Sequence, residues 1–412
     1  MRVQRAERRQ VELRPSCLED LLGEEHRARV LWDAVEELDL SDFYVDVGSR
    51  EGSAGRPAID PKILVALWLY ATSEGVGSAR ELARLCEMHD AYRWLCGGVS
   101  VNHHTLSDFR VAREKALDEL MTQVLGMLMH EGIVRLRRVA QDGMKVRANA
   151  SAASFRRQRS LKQCVREARQ QVRQAKSQLQ SEAGRATERM KSARLRVAQD
   201  RQNRVKKALR HVQDLCRIKL EEEDKEKTRA STTDPESRVM KMADGGWRPA
   251  YNLQFATDVE ARVIVGVQVT NKGNDKSQME PMLEEIGRRT EQLPKEHLVD
   301  GGYSKLESIE KAEACGVKVY TPIQEPRRAG VDRTKQKKND GPGVTAWRRR
   351  MGTDRAREIY KDRAATAERT NADLRTWRGL DRLPVRGLGK VLSIALWAAI
   401  TFNLMRWIEC TT

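Results

Sequence analysis

The chain is 412 residues long and carries 76 Lys and Arg against 59 Asp and Glu, which leaves a formal net charge of +17. That length suits two or three domains, and the 40% hydrophobic and 33% charged residues exclude a collagen, a disulfide miniprotein and a polytopic membrane protein. The seven cysteines form no C-x-x-C pair, so we predict neither a zinc knuckle nor a disulfide framework. No apolar run follows the basic N-terminus, and we expect a cytoplasmic protein.

The first 131 residues are predicted to be helical. Residues 1–55 form an N-terminal helical segment that ends in the loop GSREGSAGRP, and residues 56–131 form a helical domain of the kind that binds DNA. The helix-start signals in this domain are Pro61, the capping-box pair Ser78 and Glu81, and the pair Thr105 and Asp108. Short turns between these helices are typical of a helix-turn-helix array. A plain helical bundle stays open, because no base-contacting pattern is visible.

From residue 132 the pattern changes to alternating strands and helices. Residues 132–155 begin a sheet with VRLRRVAQDGMKVRA, and residues 231–412 continue it, first with the strand-like runs PAYNLQFATD and RVIVGVQVT. Helices and strands then alternate, which predicts a mixed sheet with helices on its faces. We expect a loop over 324–352. We expect a buried core helix over 391–405, because fifteen uncharged residues are too few for a membrane span of about twenty.

The positive charge is concentrated in residues 156–230. From Arg156 to Arg229 there are 23 Lys and Arg, 10 Asp and Glu, and no Phe, Tyr or Trp. Apolar residues recur at seven-residue steps, at Val165, Val172 and Leu179 and again at Val205 and Val212, which predicts a helical hairpin broken near Gly184. A solvated coiled coil is the plain interpretation. Because mixed-sign helices need no net charge for solubility, the excess favours contact with nucleic-acid phosphates.

Two carboxylates are candidates for a site because each follows an apolar strand. Asp142 follows the apolar run in VAQDGM, and Asp300 ends the run in HLVDGGY. Open α/β sheets build their sites at strand ends, so the two side chains meet at one edge if their strands are neighbours. Two carboxylates that lie so close together raise each other's pKa unless a divalent cation neutralises them. Oxygen ligands favour Mg²⁺ or Mn²⁺. A simple Asp-Gly turn is the alternative for each.

A third acid is expected from the helix EIYKDRAATAERTNADLRTWRGL. Glu368 and Arg375 are seven residues apart, about two helical turns, so they share a helical face. Such a face can bind a metal ion through the carboxylate and a phosphate through the guanidinium. A salt-bridged surface helix is the alternative interpretation.

These ordered blocks resemble the DDE transposases of bacterial insertion sequences. The strands that carry Asp142 and Asp300 are similar to strands of the family's RNase H-like core, and RPAIDPKILVALWLYATSEG begins a region similar to its N-terminal helical domain. The family's signature helix has recurring Tyr, Arg, Glu and basic residues, which are here Tyr360, Arg363, Glu368 and Arg375. The implied fold is an α/β RNase H-like mixed sheet with flanking helices, preceded by an all-helical domain and interrupted by a basic helical-hairpin insertion.

The resemblance also implies a chemistry and its partners. The implied catalytic acids, which are also the implied ligands of two Mg²⁺ or Mn²⁺ ions, are Asp142, Asp300 and Glu368. The implied DNA contacts are Tyr360, Arg363 and Arg375. The implied reaction is metal-dependent cleavage at the terminal repeats of the insertion sequence, followed by strand transfer into target DNA. The reaction would be carried out by a homodimer in the synaptic complex, and no membrane partner is implied. The protein would be found in the bacterial cytoplasm, and at the nucleoid when bound to DNA.

Two features depart from the family pattern, and two other functions stay open. Arg375 stands where Lys is common. Four residues separate Arg363 from Glu368 where related groups have three, so we expect Arg363 to lie off the Glu368 face. A metal-dependent RNase H-like nuclease that cuts without joining strands would have the same core. A non-catalytic DNA-binding protein would need only the helical domain and the basic segment.

Overall fold

The computed structural model describes residues 17–45, 47, 57–180, 185–218, 221–324 and 332–411. In this part of the chain, an N-terminal helical region precedes a mixed sheet with helices on its faces, and a two-helix arm interrupts the sheet. This confirms the predicted α/β class with an RNase H-like core. The hairpin break near Gly184 and nearly all of the loop GSREGSAGRP lie outside the described residues.

The helices of the N-terminal region begin mostly where the sequence predicts. Pro61 is the first residue of its helix, and the side chain of Ser78 caps the next one. The third start lies earlier than predicted, because the cap is Asn102, whose side chain accepts the N–H groups of His104 and Thr105. These helices are α1 (Arg27–Glu36), α2 (Ser41–Tyr44), α3 (Pro61–Ser73), α4 (Ala79–Met88), α5 (Asp90–Cys96), α6 (His103–Ala112) and α7 (Glu114–His130).

The strands, in chain order, are β1 (Arg138–Arg147), β2 (Phe155–Arg157), β3 (Arg229–Ser231), β4 (Arg238–Lys241), β5 (Trp247–Asp258), β6 (Ile264–Thr270), β7 (Glu296–Leu298) and β8 (Lys318–Tyr320). The main sheet has the order β4-β5-β1-β7-β8, and β6 pairs with β5 beside β4. Strands β1, β7 and β8 are mutually parallel, whereas β5 is antiparallel to β1. The predicted mixed sheet is therefore confirmed.

The remaining helices are α8 (Gln158–Gln180), α9 (Arg185–Ile218), α10 (Glu222–Lys227), α11 (Met279–Thr290), α12 (Leu306–Ala314), α13 (Pro342–Met351), α14 (Asp354–Arg363), α15 (Arg369–Thr376) and α16 (Leu388–Thr411). The prediction of a loop over 324–352 is wrong for Pro342–Met351, which form α13. Its Trp347 is buried and donates Nε1–H to the carbonyl of Thr321 at 3.2 Å. Some of the charged side chains in this stretch are buried as an ion pair, since Arg348 Nε lies 2.7 Å from Asp340 Oδ2.

Helix α16 joins the helical region to the sheet in one hydrophobic core. It packs against α3 and α7 on one side and against β6 on the other. Asn403 fixes the contact with β6, because its side chain accepts the N–H of Ile264 and donates to the same residue's carbonyl, both at 2.8 Å. This helix is long and apolar enough to cross a membrane, but 78% of its apolar window is buried inside the protein. The predicted core helix is confirmed, and the predicted domain boundaries stay predictions.

The basic segment forms an arm of two paired helices. Helices α8 and α9 pack against each other, and β2 and β3 pair antiparallel at the base of the arm. The predicted seam residues Val165, Val172, Val205 and Val212 are buried, and Leu179 is half-buried. The helical hairpin is therefore confirmed on both described sides of its tip.

Candidate active site

Asp142 and Asp300 lie at the same level of the neighbouring parallel strands β1 and β7. Asp300 follows the end of β7 as predicted, but Asp142 lies inside β1 and not at its end. In the pairing of β1 with β7, Ala140 stands opposite Leu298, and each Asp follows its paired residue by two positions. Adjacent strands are about 4.8 Å apart, so this register brings the two residues close together. Both side chains line a cavity of about 440 Å³ at this end of the sheet. The two strands are thus neighbours, which was the condition for the two side chains to meet.

Asp142 is a partly buried carboxylate with several polar neighbours. Its Oδ1 accepts the N–H of Gly143 at 2.9 Å, its Oδ2 accepts Nδ2–H of Asn371 at 3.2 Å, and Arg363 lies 3.6 Å from Oδ1. Burial raises the pKa of Asp142; Arg363 and the Gly143 N–H lower it, and the charges of Asp300 and Asp275 raise it. The pKa of Asp142 therefore lies above its ordinary value, and burial is the main cause.

Asp300 is fixed through both its side chain and its backbone. Its Oδ1 accepts the N–H of Gly302 at 2.7 Å, which caps the short turn that follows β7. Its carbonyl accepts the hydroxyl of Thr321, beyond the end of β8, at 2.8 Å. This anchoring holds the carboxylate at the cavity wall.

The signature helix changes its winding just before Glu368. Helix α14 ends at Arg363, a π-helical turn covers Ala364–Glu368, and α15 continues from Arg369. In a π-helix the backbone hydrogen bonds join residues five apart, so residues at that spacing lie on one face. Arg363 Nη1 accordingly lies 3.3 Å from Glu368 Oε1. The prediction that Arg363 lies off the Glu368 face is wrong, because the turn is not α-helical.

Arg363 connects two of the three predicted acids. Its guanidinium lies 3.6 Å from Asp142 and 3.3 Å from Glu368. The Arg363 side chain is 12% exposed, whereas that of Glu368 is 64% exposed and does not line the cavity. Within the described ranges, no three His, Cys, Asp or Glu side chains are grouped so that they could hold a metal ion. Asp142 and Asp300 thus line the same cavity, whereas Glu368 lies outside it and is connected to Asp142 through Arg363.

The other two predicted residues lie beside the same acids. Tyr360 is half-buried, and its pKa is raised first by burial and further by the charges of Asp300, Asp142 and Glu368, while Arg363 lowers it. Its phenol is therefore within electrostatic reach of all three acids. Arg375 lines the cavity with Asp142 and Asp300.

Sequence reasoning missed Asp275, a further acid of the cavity wall. Asp275 lies between β6 and α11, and its Oδ1 accepts Nδ2–H of Asn252 at 2.7 Å and Nε2–H of Gln254 at 2.6 Å. Gln254 Oε1 in turn accepts hydrogen bonds from Gln141 and Tyr303. The signal in the sequence was YNLQF, where two amides alternate along an otherwise apolar strand and so share one face. Both amides are fully buried, and buried polar groups need such partners.

Gly143 makes room for this hydrogen-bond network next to Asp142. A Cβ atom at this position would lie 2.4 Å from Gln254 Nε2, 2.5 Å from Asp275 Oδ1 and 2.9 Å from Asn252 Oδ1. Contacts shorter than 3.0 Å require the neighbouring atoms to shift. The Asp-Gly pair is therefore required by packing, and it is not a simple turn.

Basic side chains share the cavity with the acids. Those that line it are Lys145 and Arg147 of β1, Lys241 of β4, Arg248 of β5 and Arg375 of α15. A site that combines fixed carboxylates with several cations suits a phosphodiester: the cations attract the backbone, and the acids supply oxygen ligands.

Two family models match the chain. Residues 16–112 match the family described as Transposase domain (DUF772), and residues 217–404 match the family described as Transposase DDE domain. Searches of curated proteins and of solved structures found no match. The second family match includes Asp300 and the whole signature helix, while Asp142 and most of the arm lie between the two matched segments.

Proposed function

The chain belongs to the DDE-type transposases of insertion sequences, and on that premise we propose that it cuts DNA at the ends of its own element and joins the freed strands to target DNA. The observation that carries the proposal is the pairing of β1 with β7, which sets Asp142 beside Asp300 in one cavity. Arg363 links this pair to Glu368. We propose these three acids as the catalytic ones.

The residues fit a divalent metal ion in their donor chemistry. Carboxylate oxygens are the ligands that Mg²⁺ and Mn²⁺ prefer, and Asp142 and Asp300 line one cavity. A cation already stands between two of the acids, since the Arg363 guanidinium contacts Asp142 and Glu368. Asp142, Asp300 and Glu368 would hold two ions. When bound, such ions stabilise the charge that develops on a phosphate under attack.

The reaction needs no covalent protein nucleophile. A water oxygen attacks the phosphorus at the end of the element, the bond from phosphorus to the 3′ oxygen breaks, and a 3′ hydroxyl leaves. That hydroxyl then attacks a phosphodiester of the target, and one ester bond replaces another. The chain's own part is to hold DNA in line for both attacks.

Cationic side chains of the cavity would hold the DNA backbone. Arg375 lies in the cavity wall and would contact a phosphate through its planar fork of donors. Arg363 would turn from the acids to DNA once metal ions replace its charge. Tyr360, half-buried beside the acids, would contact the flanking strand through its hydroxyl.

The two ends of the element have to be cut and then joined to the same target DNA, so we propose a homodimer in the synaptic complex. The reaction would take place in the cytoplasm, at the nucleoid. Terminal repeats and target DNA are the proposed partners, with two Mg²⁺ or Mn²⁺ ions as cofactors.

The test uses the DNA that flanks the protein's own gene. Labelled duplexes with the two element ends are incubated with a supercoiled target plasmid and with Mg²⁺, Mn²⁺, Ca²⁺ or EDTA, and cleaved and joined products are separated on gels. We expect cleavage and joined products with Mg²⁺ or Mn²⁺, and none with EDTA. Cut ends that are never joined would establish a nuclease instead. Bound but uncut ends under every ion would contradict catalysis altogether.

A further inference from the structure

We propose that helix α8 presents a surface that binds the backbone of double-stranded DNA. This surface, the α8 basic stripe, consists of Arg159, Lys162, Arg166, Arg169, Arg173 and Lys176. The inference rests on the proposed function only for the nature of the ligand, a DNA duplex. The surface itself follows from the geometry and charge of the arm.

The stripe is one continuous flank of the helix. Its six residues are spaced alternately by three and four positions, and at 100° per residue they fall within a sector of about 100°. At 1.5 Å per residue the stripe is about 25 Å long. All six residues are exposed, whereas Leu161, Val165 and Val172 face α9 in the arm's own seam, about 90° around the helix from the centre of the stripe. Packing of the arm therefore leaves the whole stripe open.

The charges of the stripe are not balanced by acids. The only acid of α8 is Glu167, whose carboxylate accepts a hydrogen bond from Gln163. Among the described residues, no carboxylate forms an ion pair with any of the six cations. Like charges at three- and four-residue spacing destabilise a helix. A helix that served only solubility would carry both signs, so the pattern indicates a polyanionic ligand.

The arm is connected by short chain segments to strands that contribute to the basic wall of the cavity. Its first strand, β2, starts eight residues after Arg147, and β4, which carries Lys241, starts seven residues after the arm's last strand ends. Both of these cations line the cavity. Lys207 of α9 ties the arm to the body through Glu236, with 3.0 Å between Nζ and Oε2. The arm is thus connected to the sheet that carries the cavity.

The chemistry of the arm favours duplex DNA over unpaired strands. A duplex carries one phosphate charge per about 1.7 Å of axis, so a row of cations about 5 Å apart meets many phosphates. Single strands are usually bound by aromatic side chains that stack on the bases. The segment from Arg156 to Arg229 has no Phe, Tyr or Trp. The surface therefore suits the sugar–phosphate backbone and does not read sequence.

The experiment compares two variants that differ in net charge, each of which removes three of the six cations from the stripe. The neutralised variant is R166Q/R169Q/R173Q. The rotated variant, K162Q/Q163K/R169Q/Q170R/R173Q/Q174R, exchanges three cations with the neutral residue that follows each, so composition and net charge stay unchanged while the charges move about 100° around the helix. Binding of a 30-bp duplex of unrelated sequence is measured by fluorescence anisotropy over a range of NaCl, in EDTA. Circular dichroism checks that the arm stays helical.

We expect the plot of log affinity against log salt to flatten by about 2.7 in the neutralised variant, at 0.9 for each of three lost phosphate contacts. The rotated variant should lose nearly as much slope, despite its unchanged charge. Wild-type binding by the rotated variant would overturn the stripe in favour of overall charge. An unchanged slope in the neutralised variant would refute phosphate contact by these three residues, and with it the stripe as a DNA-binding surface.

The result is independent of the proposed catalytic function. Binding is measured without metal, and cleavage of element ends is measured separately on the wild type. If the wild type cuts ends and both variants bind as it does, only the stripe is refuted. If both variants lose salt-dependent binding while the wild type never cuts, the surface stands and the proposed catalysis is refuted.

Discussion

The cavity and the arm carry charge in opposite ways. In the cavity the charged groups have fixed partners: Asp142 contacts Gly143, Asn371 and Arg363, and Asp300 caps the turn after its strand. On the α8 basic stripe the cations are exposed, and they pair with none of the described acids. Chemistry at one phosphate requires fixed positions, whereas affinity for a long polyanion requires only regular spacing. Substitutions in the cavity should therefore change rates, and substitutions in the stripe should change affinity.

The largest effect is expected from the three proposed acids. Asp142→Asn, Asp300→Asn and Glu368→Gln each remove a negative charge but little volume. Each should lower cleavage of element ends at least about a thousandfold, while DNA binding in EDTA stays near the wild-type value. Gel assays of cleavage with Mg²⁺ and anisotropy without metal measure the two quantities. Robust cleavage by any one variant would remove that residue from the proposed set.

Thermal melting provides the control for folding in this series. Because burial raises the pKa of Asp142, the charged form is disfavoured in the folded protein, and this group's contribution to stability decreases as pH rises above the unfolded value. Asp142→Asn removes the charge, so the midpoint at pH 7 without metal should not fall. A marked decrease would mean that Asp142 has a structural role, through Asn371 and Arg363.

A test of fixed geometry at the cavity is Gly143→Ala. The added methyl group would lie within 2.9 Å of three polar side-chain atoms, and overpacking of this kind costs about 1–3 kcal/mol. Displacement of Asp142 by even about 1 Å should lower cleavage about a hundredfold. Gly301→Ala is the matched control, because Gly301 follows Asp300 directly and a Cβ there meets no atom within 4 Å. Equal rates for the two variants would refute the packing role of Gly143.

The sequence predicts the elements of the fold well, because hydrophobic periodicity is a local signal. The seam of the arm and the strands that carry Asp142 and Asp300 all follow from it. The contact of Arg363 with Glu368 could not be predicted, because it depends on a π-helical turn that no local propensity encodes. The charged composition before α13 likewise concealed Trp347, whose burial becomes visible only in three dimensions.

The candidate site was predicted only in part, from the two acids that follow apolar runs in the sequence. Asp275 escaped notice because its partners Asn252 and Gln254 lie more than 20 residues earlier in the chain. Their proximity depends on the pairing of β5 with β6 and on the chain returning over the face that Gly143 leaves open. The sequence shows two amides in an apolar strand, but the sheet is needed to identify the acid that they hold.

Asp275→Asn tests whether this hydrogen-bond network serves the reaction. An amide at this position keeps an oxygen that can accept from Asn252 and Gln254, but it removes a charge from the cavity. Loss of a supporting group around a metal site typically costs about ten- to a hundredfold, and we expect a decrease of that size in cleavage with a small change in melting temperature. Asp381→Asn, which also neutralises an acid of the cavity wall, is the control. Equal loss in both would indicate only a general effect of charge.

The smallest effect is expected at Arg375, where Lys is common in the family. A guanidinium grips two phosphate oxygens in a planar fork, and an ammonium provides a compact charge from a similar distance. If neutralisation of a phosphate is sufficient, Arg375→Lys should keep most cleavage activity, and Arg375→Ala should lose about tenfold, the value of one charged hydrogen bond of about 1.5 kcal/mol. A surface ion pair would contribute only about 0–1 kcal/mol to stability and nothing to the rate. Cleavage rates and melting curves of both variants separate these cases, since full activity of Arg375→Ala would end the proposed phosphate contact.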